Sequence, residues 1–162
     1  MSKTPRLFGG VLRRQLLRAA GVFESRIAEK LEAAAQSVAS EPARVLFRRL
    51  AEEERLHETR LTTAAETQEP QNSAQDAAVR DPPLPDGSPT TDEQTLRWLA
   101  EIEQAERALA EFYRALAEKA AVPEVARLFE ELAGAEDEHL RQLAQLRESL
   151  KPGGNQCVPG PS

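Results

Sequence analysis

The chain has 162 residues, enough for one domain with a hydrophobic core and too few for two ordinary domains. Its formal net charge of −6 and pI near 5.1 exclude the basic face with which a nucleic-acid binder neutralises phosphates. The single cysteine, Cys157, excludes an intrachain disulfide and any Cys-x-x-Cys site for zinc or a rubredoxin-type iron, and no apolar run approaches the ~20 residues of a membrane span.

Alanine, leucine, glutamate and arginine dominate, while aromatic and β-branched residues are few, so the expected fold class is all-α. At the N-terminus, RRQLLRAAG (13–21) has the form in which a twin-arginine export signal begins. The uncharged run such a signal needs is replaced by FESRIAEKLE. Lys3, Arg6, Arg13, Arg14 and Arg18 are therefore expected on the solvated face of a helix, and a reducing cytoplasm is the expected location.

The first helix is expected over 11–38, with Leu16, Ala20, Phe23, Ile27, Leu31 and Ala34 on one stripe. Pro42 ends the break that follows, and Ser40 is the candidate N-cap of a second helix over 43–66 that carries Leu46, Leu50, His57 and Leu61. Residues 67–90, rich in Pro, Asp, Ser and Gln and without apolar period, are expected to be a disordered crossover. Thr91 with Gln94 has the form of a capping box and opens a third helix to about residue 120, through Leu99, Ile102, Leu109, Tyr113 and Leu116. Pro123 marks the next turn, the fourth helix is expected over 124–150, and 151–162 form a disordered tail.

Two tight hairpins (11–66 and 91–150) joined by one long crossover have the connectivity of a ferritin-like four-helix bundle. At roughly 3.3 Å per extended residue the crossover spans a helix of about 40 Å. It can equally reach a neighbouring chain, so a homodimer with exchanged hairpins is also open. A shift of 82 residues places Leu46 on Leu128, Phe47 on Phe129, Leu50 on Leu132, Ala51 on Ala133 and Leu61 on Leu143, which reads as an internal repeat.

The same shift places Glu24 on Glu106, Glu54 on Glu136 and His57 on His139. The chain has only these two histidines, and each follows a glutamate by three residues, so both side chains leave one helix face. Glu136 and His139 lie on the stripe of Phe129, Leu132, Leu143, Leu146 and Leu150, where core leucines belong. Glu24 lies beside Phe23 and Ile27, and Glu106 between Ile102 and Leu109. In antiparallel hairpins all six reach mid-bundle.

Burying an ionised carboxylate without compensation costs several kcal/mol, and four close together repel one another as well. Two divalent cations would neutralise four carboxylates, with two neutral imidazoles completing the shells. Such ligands suit iron or manganese, although ligand type alone leaves zinc open. One glutamate from each of two helices and a Glu-x-x-His from each of the other two is the dinuclear carboxylate arrangement of helical bundles.

VARLFEELAGAEDEHLRQL, with EIEQAERALAEFYRALAE before it, resembles the rubrerythrin branch of the ferritin-like superfamily. There a metal-ligating glutamate is followed seven residues later by the Tyr of an FY pair and then by Glu-x-x-His, a pattern met by Glu106, Phe112, Tyr113, Glu136 and His139. In the first half Glu24, Glu54 and His57 match, but Leu31 replaces the tyrosine. The resemblance implies a non-haem centre of two Fe ions that reacts with peroxide or oxygen, ligated by Glu24, Glu54, His57, Glu106, Glu136 and His139. Ferrous oxidation feeding iron storage is the alternative use of such a centre, and a metal-free helical interaction module is the alternative without one.

Rubrerythrins similarly carry an extra glutamate on the third helix, which makes Glu103 a candidate seventh ligand or proton carrier, against an exposed acid on a solvated face. Tyr113 is a candidate to hydrogen-bond a ligand carboxylate and tune or donate electrons to the site, against an ordinary core aromatic. The chain lacks the Cys-rich rubredoxin module, so electrons would come from a separate donor such as a rubredoxin or from a small reductant. Trp98 is expected as a core or interface anchor, and Glu32, Glu52, Glu53, Glu58, Glu101, Glu130, Glu131 and Glu138 on solvated faces.

Overall fold

The computed structural model describes residues 10–67 and 81–152. Four helices follow in chain order, α1 (Gly10–Ser37), α2 (Glu41–Glu66), α3 (Asp92–Lys119) and α4 (Pro123–Leu150), and the described residues contain no strand.

The local chemistry of the ends sets these boundaries. The Ser40 side chain accepts from the amide of Ala43 at 3.4 Å, and Pro42 occupies the first turn, where a missing N–H costs nothing. That is why α2 starts two residues earlier than its apolar period suggests. The capping box of α3 is complete: Thr91 accepts from the Gln94 amide at 3.2 Å, and Gln94 accepts from the Thr91 amide at 3.3 Å. Asp92 and Glu93 in the first turn and Lys119 in the last complement the helix dipole.

α1 pairs closely with α2, and α3 with α4, as two antiparallel hairpins that meet along α2 and α4. Arg49 contacts Gln142 and Arg60 contacts Glu131, so α2 and α4 are antiparallel. Positions 82 apart exchange these two contacts, since Arg49 corresponds to Glu131 and Arg60 to Gln142. The contacts within the hairpins follow the same rule with one inversion. Arg55 of α2 pairs with Glu32 of α1 at 3.3 Å, and at the corresponding positions Asp137 of α4 pairs with Arg114 of α3. The sign of each partner is reversed.

The backbones of α1 and α3 stay farther apart. Their seam holds a mainly apolar cavity of about 250 Å³, lined by Ala20, Phe23, Leu109 and Phe112 with Asp81 and Pro82 at its side.

Residues 81–90 correct the expectation of a disordered crossover over 67–90. Asp81 pairs with Arg26, Pro85 and Pro89 are buried, and the Ser37 hydroxyl donates to the carbonyl of Pro89 at 2.8 Å. This stretch therefore climbs along α1 from its middle to its C-terminal end, where α3 begins, and α3 runs parallel to α2. Residues 68–80 lie outside the described residues, as do most of the tail, Cys157, Lys3 and Arg6. Arg18 is exposed as expected, whereas Arg13 and Arg14 are half-buried.

The core is one continuous cluster drawn from all four helices. On α2 the fully buried stripe runs through Phe47 rather than Leu46, which is half-buried. Phe47 meets Trp98 of α3 with ring centroids 5.1 Å apart, a tilted contact that ties one hairpin to the other. Phe47→Ala should therefore lower the unfolding free energy by about 3–5 kcal/mol, the usual cost of emptying a buried aromatic site. Chemical denaturation of metal-free protein measures it; a loss below 1 kcal/mol would show that Phe47 does not anchor the hairpins.

Candidate metal centre

The four helices each deliver one part of a buried polar cluster. α1 contributes Glu24, α3 contributes Glu106, and α2 and α4 contribute Glu54 with His57 and Glu136 with His139. The four glutamates and His139 have no exposed surface, and His57 has 6%. Leu17, Leu31, Leu50, Leu61, Leu99, Ile102, Leu132 and Leu143 are fully buried in the apolar core of the same bundle.

Ligand atoms fall into two overlapping groups, each within 4.8 Å: Glu24, Glu54, His57 and Glu136, and Glu54, Glu106, Glu136 and His139. Glu54 and Glu136 belong to both. The structure thus brings together all six residues that the sequence pattern singles out, as two overlapping groups that could each hold a cation, with Glu54 and Glu136 in both.

Both imidazoles turn Nδ1 inward. His57 Nδ1 lies 3.1 Å from Glu54, 3.2 Å from Glu136 and 3.8 Å from Glu24. His139 Nδ1 lies 2.7 Å from Glu54, 3.4 Å from Glu136 and 3.9 Å from Glu106. The rings stack with centroids 5.5 Å apart.

Without metal, protons must do the neutralising. Burial raises the Glu24 and Glu106 carboxyls well above the usual range, and neighbouring carboxylates add to the rise, Glu54 and Glu136 for Glu24 and Glu136 for Glu106. Burial pulls the His57 imidazole down, but the adjacent carboxylates of Glu136 and Glu54 carry it up to about 9. His139 is raised in the same way, against its burial, by Glu106, Glu136 and Glu54. Burial and the charge of Glu106 oppose ionisation of Glu54, yet the adjacent His139 and His57 imidazoles, with Glu24 beside them, hold it below the usual value.

The residues present fit cations better than protons. Both oxygens of Glu106 and of Glu136, Oε2 of Glu24, Oε1 of Glu54 and Nδ1 of His139 are buried without a partner of hydrogen-bonding geometry. Such orphaned acceptors are costly in a protein interior, and divalent ions at the two positions would satisfy them.

Tyr113, fully buried, donates its hydroxyl to Glu24 and stacks on Phe129 with centroids 5.9 Å apart. Its partner is thus the glutamate of the other hairpin, not Glu106 of its own helix. Burial, then the Glu24 charge, raises the phenol well above its ordinary value, so it stays protonated as a donor.

Glu103 falls outside both ligand groups. It is only 6% exposed, which corrects the expectation of a solvated acid, and it faces Arg147 Nε of α4 at 3.2 Å. Glu103 thus stands in an interhelical ion pair one turn before Glu106.

Glu53 was expected on a solvated face and is the residue that sequence reasoning missed. Half-buried on α2, it accepts from Nε2 of His139 at 2.9 Å. Only the α2–α4 register could have revealed it, because the two residues lie 86 positions apart.

A family model described as Rubrerythrin matches residues 16–147, most of the chain. The chain belongs to the rubrerythrin family. It is accordingly a ferritin-like protein, and its helical bundle agrees. No curated protein and no solved structure matches it. Rubrerythrin membership and the buried Glu/His groups together support a metal-binding protein of di-iron type.

The charge state predicts how metal-free protein responds to pH. His57 has a folded pKa above its unfolded value, so its contribution is complete below about pH 6.5 and is lost as pH rises through about 9. Glu24 and Glu106, also raised, act with the same sign from about pH 4.5 upward, whereas Glu54, lowered, contributes only above that pH and loses its contribution below it. Thermal melts of chelator-treated protein should therefore show Tm falling steadily from pH 6.5 to 9. A flat profile over that interval would contradict a protonated cluster.

Proposed function

We propose that the bundle is a non-haem di-iron oxidoreductase of rubrerythrin type, which reduces hydrogen peroxide to water or consumes oxygen. The observation that carries this reading is the pair of four-residue ligand groups sharing Glu54 and Glu136. Shared carboxylates couple two ions, and coupling matters because peroxide reduction needs two electrons in one event. Two ferrous ions bound there would supply those two electrons, while two protons complete the formation of two waters.

The chain's own residues would divide the work. Glu24 and His57 would hold one ion, Glu106 and His139 the other, and Glu54 with Glu136 would span them. Binding would expel the protons that the metal-free cluster carries on its histidines and outer glutamates, which makes affinity rise with pH. Tyr113 would hold Glu24 by one oxygen while leaving Oε2 free for an ion. Apolar side chains around the cluster would keep bulk water out.

The electron donor in this reading is a separate protein such as a rubredoxin, or a small reductant. The protein would act in the cytoplasm; among the described residues no helix is long and apolar enough to cross a membrane. A homodimer is part of the proposal, with the exposed apolar side chains of Val22, Val45 and Leu56 on α1 and α2 as candidate contacts. Light scattering tests it, with a mass of two chains expected and a single chain refuting it.

Elemental analysis of protein purified without chelators or a histidine tag tests the centre itself. About two iron atoms per chain are expected, against none in a folded His57→Leu/His139→Leu variant. Ferrous-loaded wild type should then consume about one peroxide per two irons in a single turnover, and the variant none. Protein that stays metal-free after anaerobic ferrous loading would refute the reading. In that case the double variant would simply be more stable, since replacing buried ionic groups with leucine commonly gains about 1–4 kcal/mol.

A further inference from the structure

Positions 82 apart give both halves of the centre the same ligands, but two neighbours of those ligands have no counterpart. Glu53 accepts from His139 Nε2 at 2.9 Å, and Arg49 Nε lies 3.9 Å from its other oxygen. The residue corresponding to Glu53 is Ala135, so His57 has no such carboxylate. Tyr113 donates to Glu24, and the residue corresponding to Tyr113 is the buried Leu31, so Glu106 receives no such bond.

We propose that Glu53 and Tyr113 make the two metal positions unequal, so that the Glu106–His139 position fills first and holds its ion more tightly than the Glu24–His57 position. This rests on the dinuclear reading above and goes beyond it by ordering the two positions.

The two residues act in the same direction from opposite sides. By accepting the Nε2 proton, Glu53 fixes the His139 tautomer with its Nδ1 lone pair facing Glu54, Glu106 and Glu136, and makes that nitrogen a stronger donor. His57 lacks this support and its side chain is 8% exposed, against 0% for His139. By donating to Glu24, Tyr113 takes up part of the negative charge that this carboxylate would give an ion. Both oxygens of Glu106 keep theirs, since neither has a hydrogen-bond partner. Glu53 and Tyr113 are positioning residues in this account, acting on the metal through a ligand.

Anaerobic titration of metal-free protein with Co(II), followed by calorimetry and by the visible absorption of the bound ion, tests the order. Wild type should bind two ions in two steps whose Kd values differ by about 10-fold or more, the range in which a ligand's outer partner acts. Glu53→Ala should weaken the first step by about 10-fold and bring the two together, while Tyr113→Phe should tighten the second step and leave the first. Ala135→Glu, which gives His57 the partner it lacks, should also tighten the second step. This last change is a gain, so loss of folding cannot imitate it. Two equal steps in wild type, or a first step unmoved by Glu53→Ala, would overturn this inference and leave the dinuclear centre standing. No Co(II) binding at all would overturn both.

Discussion

Four carboxylates buried in the middle of a helical bundle are the constraint to which the rest of the structure answers. Each sits where a leucine would contribute hydrophobic stabilisation, and each carries a desolvation cost of several kcal/mol when ionised. The surrounding core therefore has to be continuous. It is: buried residues of all four helices form one cluster, and Phe47 against Trp98 closes the hairpins on one another, while the α1–α3 seam keeps its cavity. A bundle with a weaker core could not hold these acids in place, and a looser one would let water in to solvate them.

The cluster also explains why the helices are joined as they are. Each hairpin brings one lone glutamate and one Glu-x-x-His, half of what two cations need, so neither hairpin can neutralise its own acids around a dinuclear centre. The crossover sets the second hairpin antiparallel to the first at the α2–α4 seam, which puts Glu54 and Glu136 in both ligand groups. Away from the centre the two hairpins diverge. Gly21 and Ala65 stand in one where Glu103 and Arg147 stand in the other. At Gly21 a Cβ would meet Thr62 at 3.5 Å and Leu61 at 3.7 Å, ordinary packing distances, so α1 and α2 are in direct contact at that level. At the corresponding level α3 and α4 carry the Glu103–Arg147 ion pair.

Much of this was legible without coordinates, for a physical reason. Helix positions follow from apolar period and end chemistry, which are local, and Ser40, Thr91, Pro42 and Pro123 act within a turn of themselves. The six inward residues were legible because an acid or imidazole on a core stripe contradicts its neighbours. What the sequence did not disclose depends on how far one helix slides against another. The partner of Tyr113 is Glu24 and not Glu106, Glu103 turns to Arg147, and Glu53 reaches His139. Each of these is a contact between elements, set by register, and a shift of one turn would have given different partners. Residues 81–90 depart from the expectation for a related reason: their composition is that of a disordered segment, but Asp81 and Pro89 find fixed partners on α1.

The inverted pair of ion pairs, Glu32 with Arg55 and Arg114 with Asp137, bears on assembly. Two helical hairpins of similar shape and matching core residues invite the wrong helices to associate during folding. If α4 took the place of α2 beside α1, Glu32 would face Asp137, and if α2 took the place of α4 beside α3, Arg114 would face Arg55. Each correct pair is worth only a few tenths of a kcal/mol at the surface, but the wrong pairing exchanges two attractions for two repulsions. The reversal therefore works as an address that keeps each hairpin with its own second helix. It leaves whole hairpins free to trade places between chains while single helices are not.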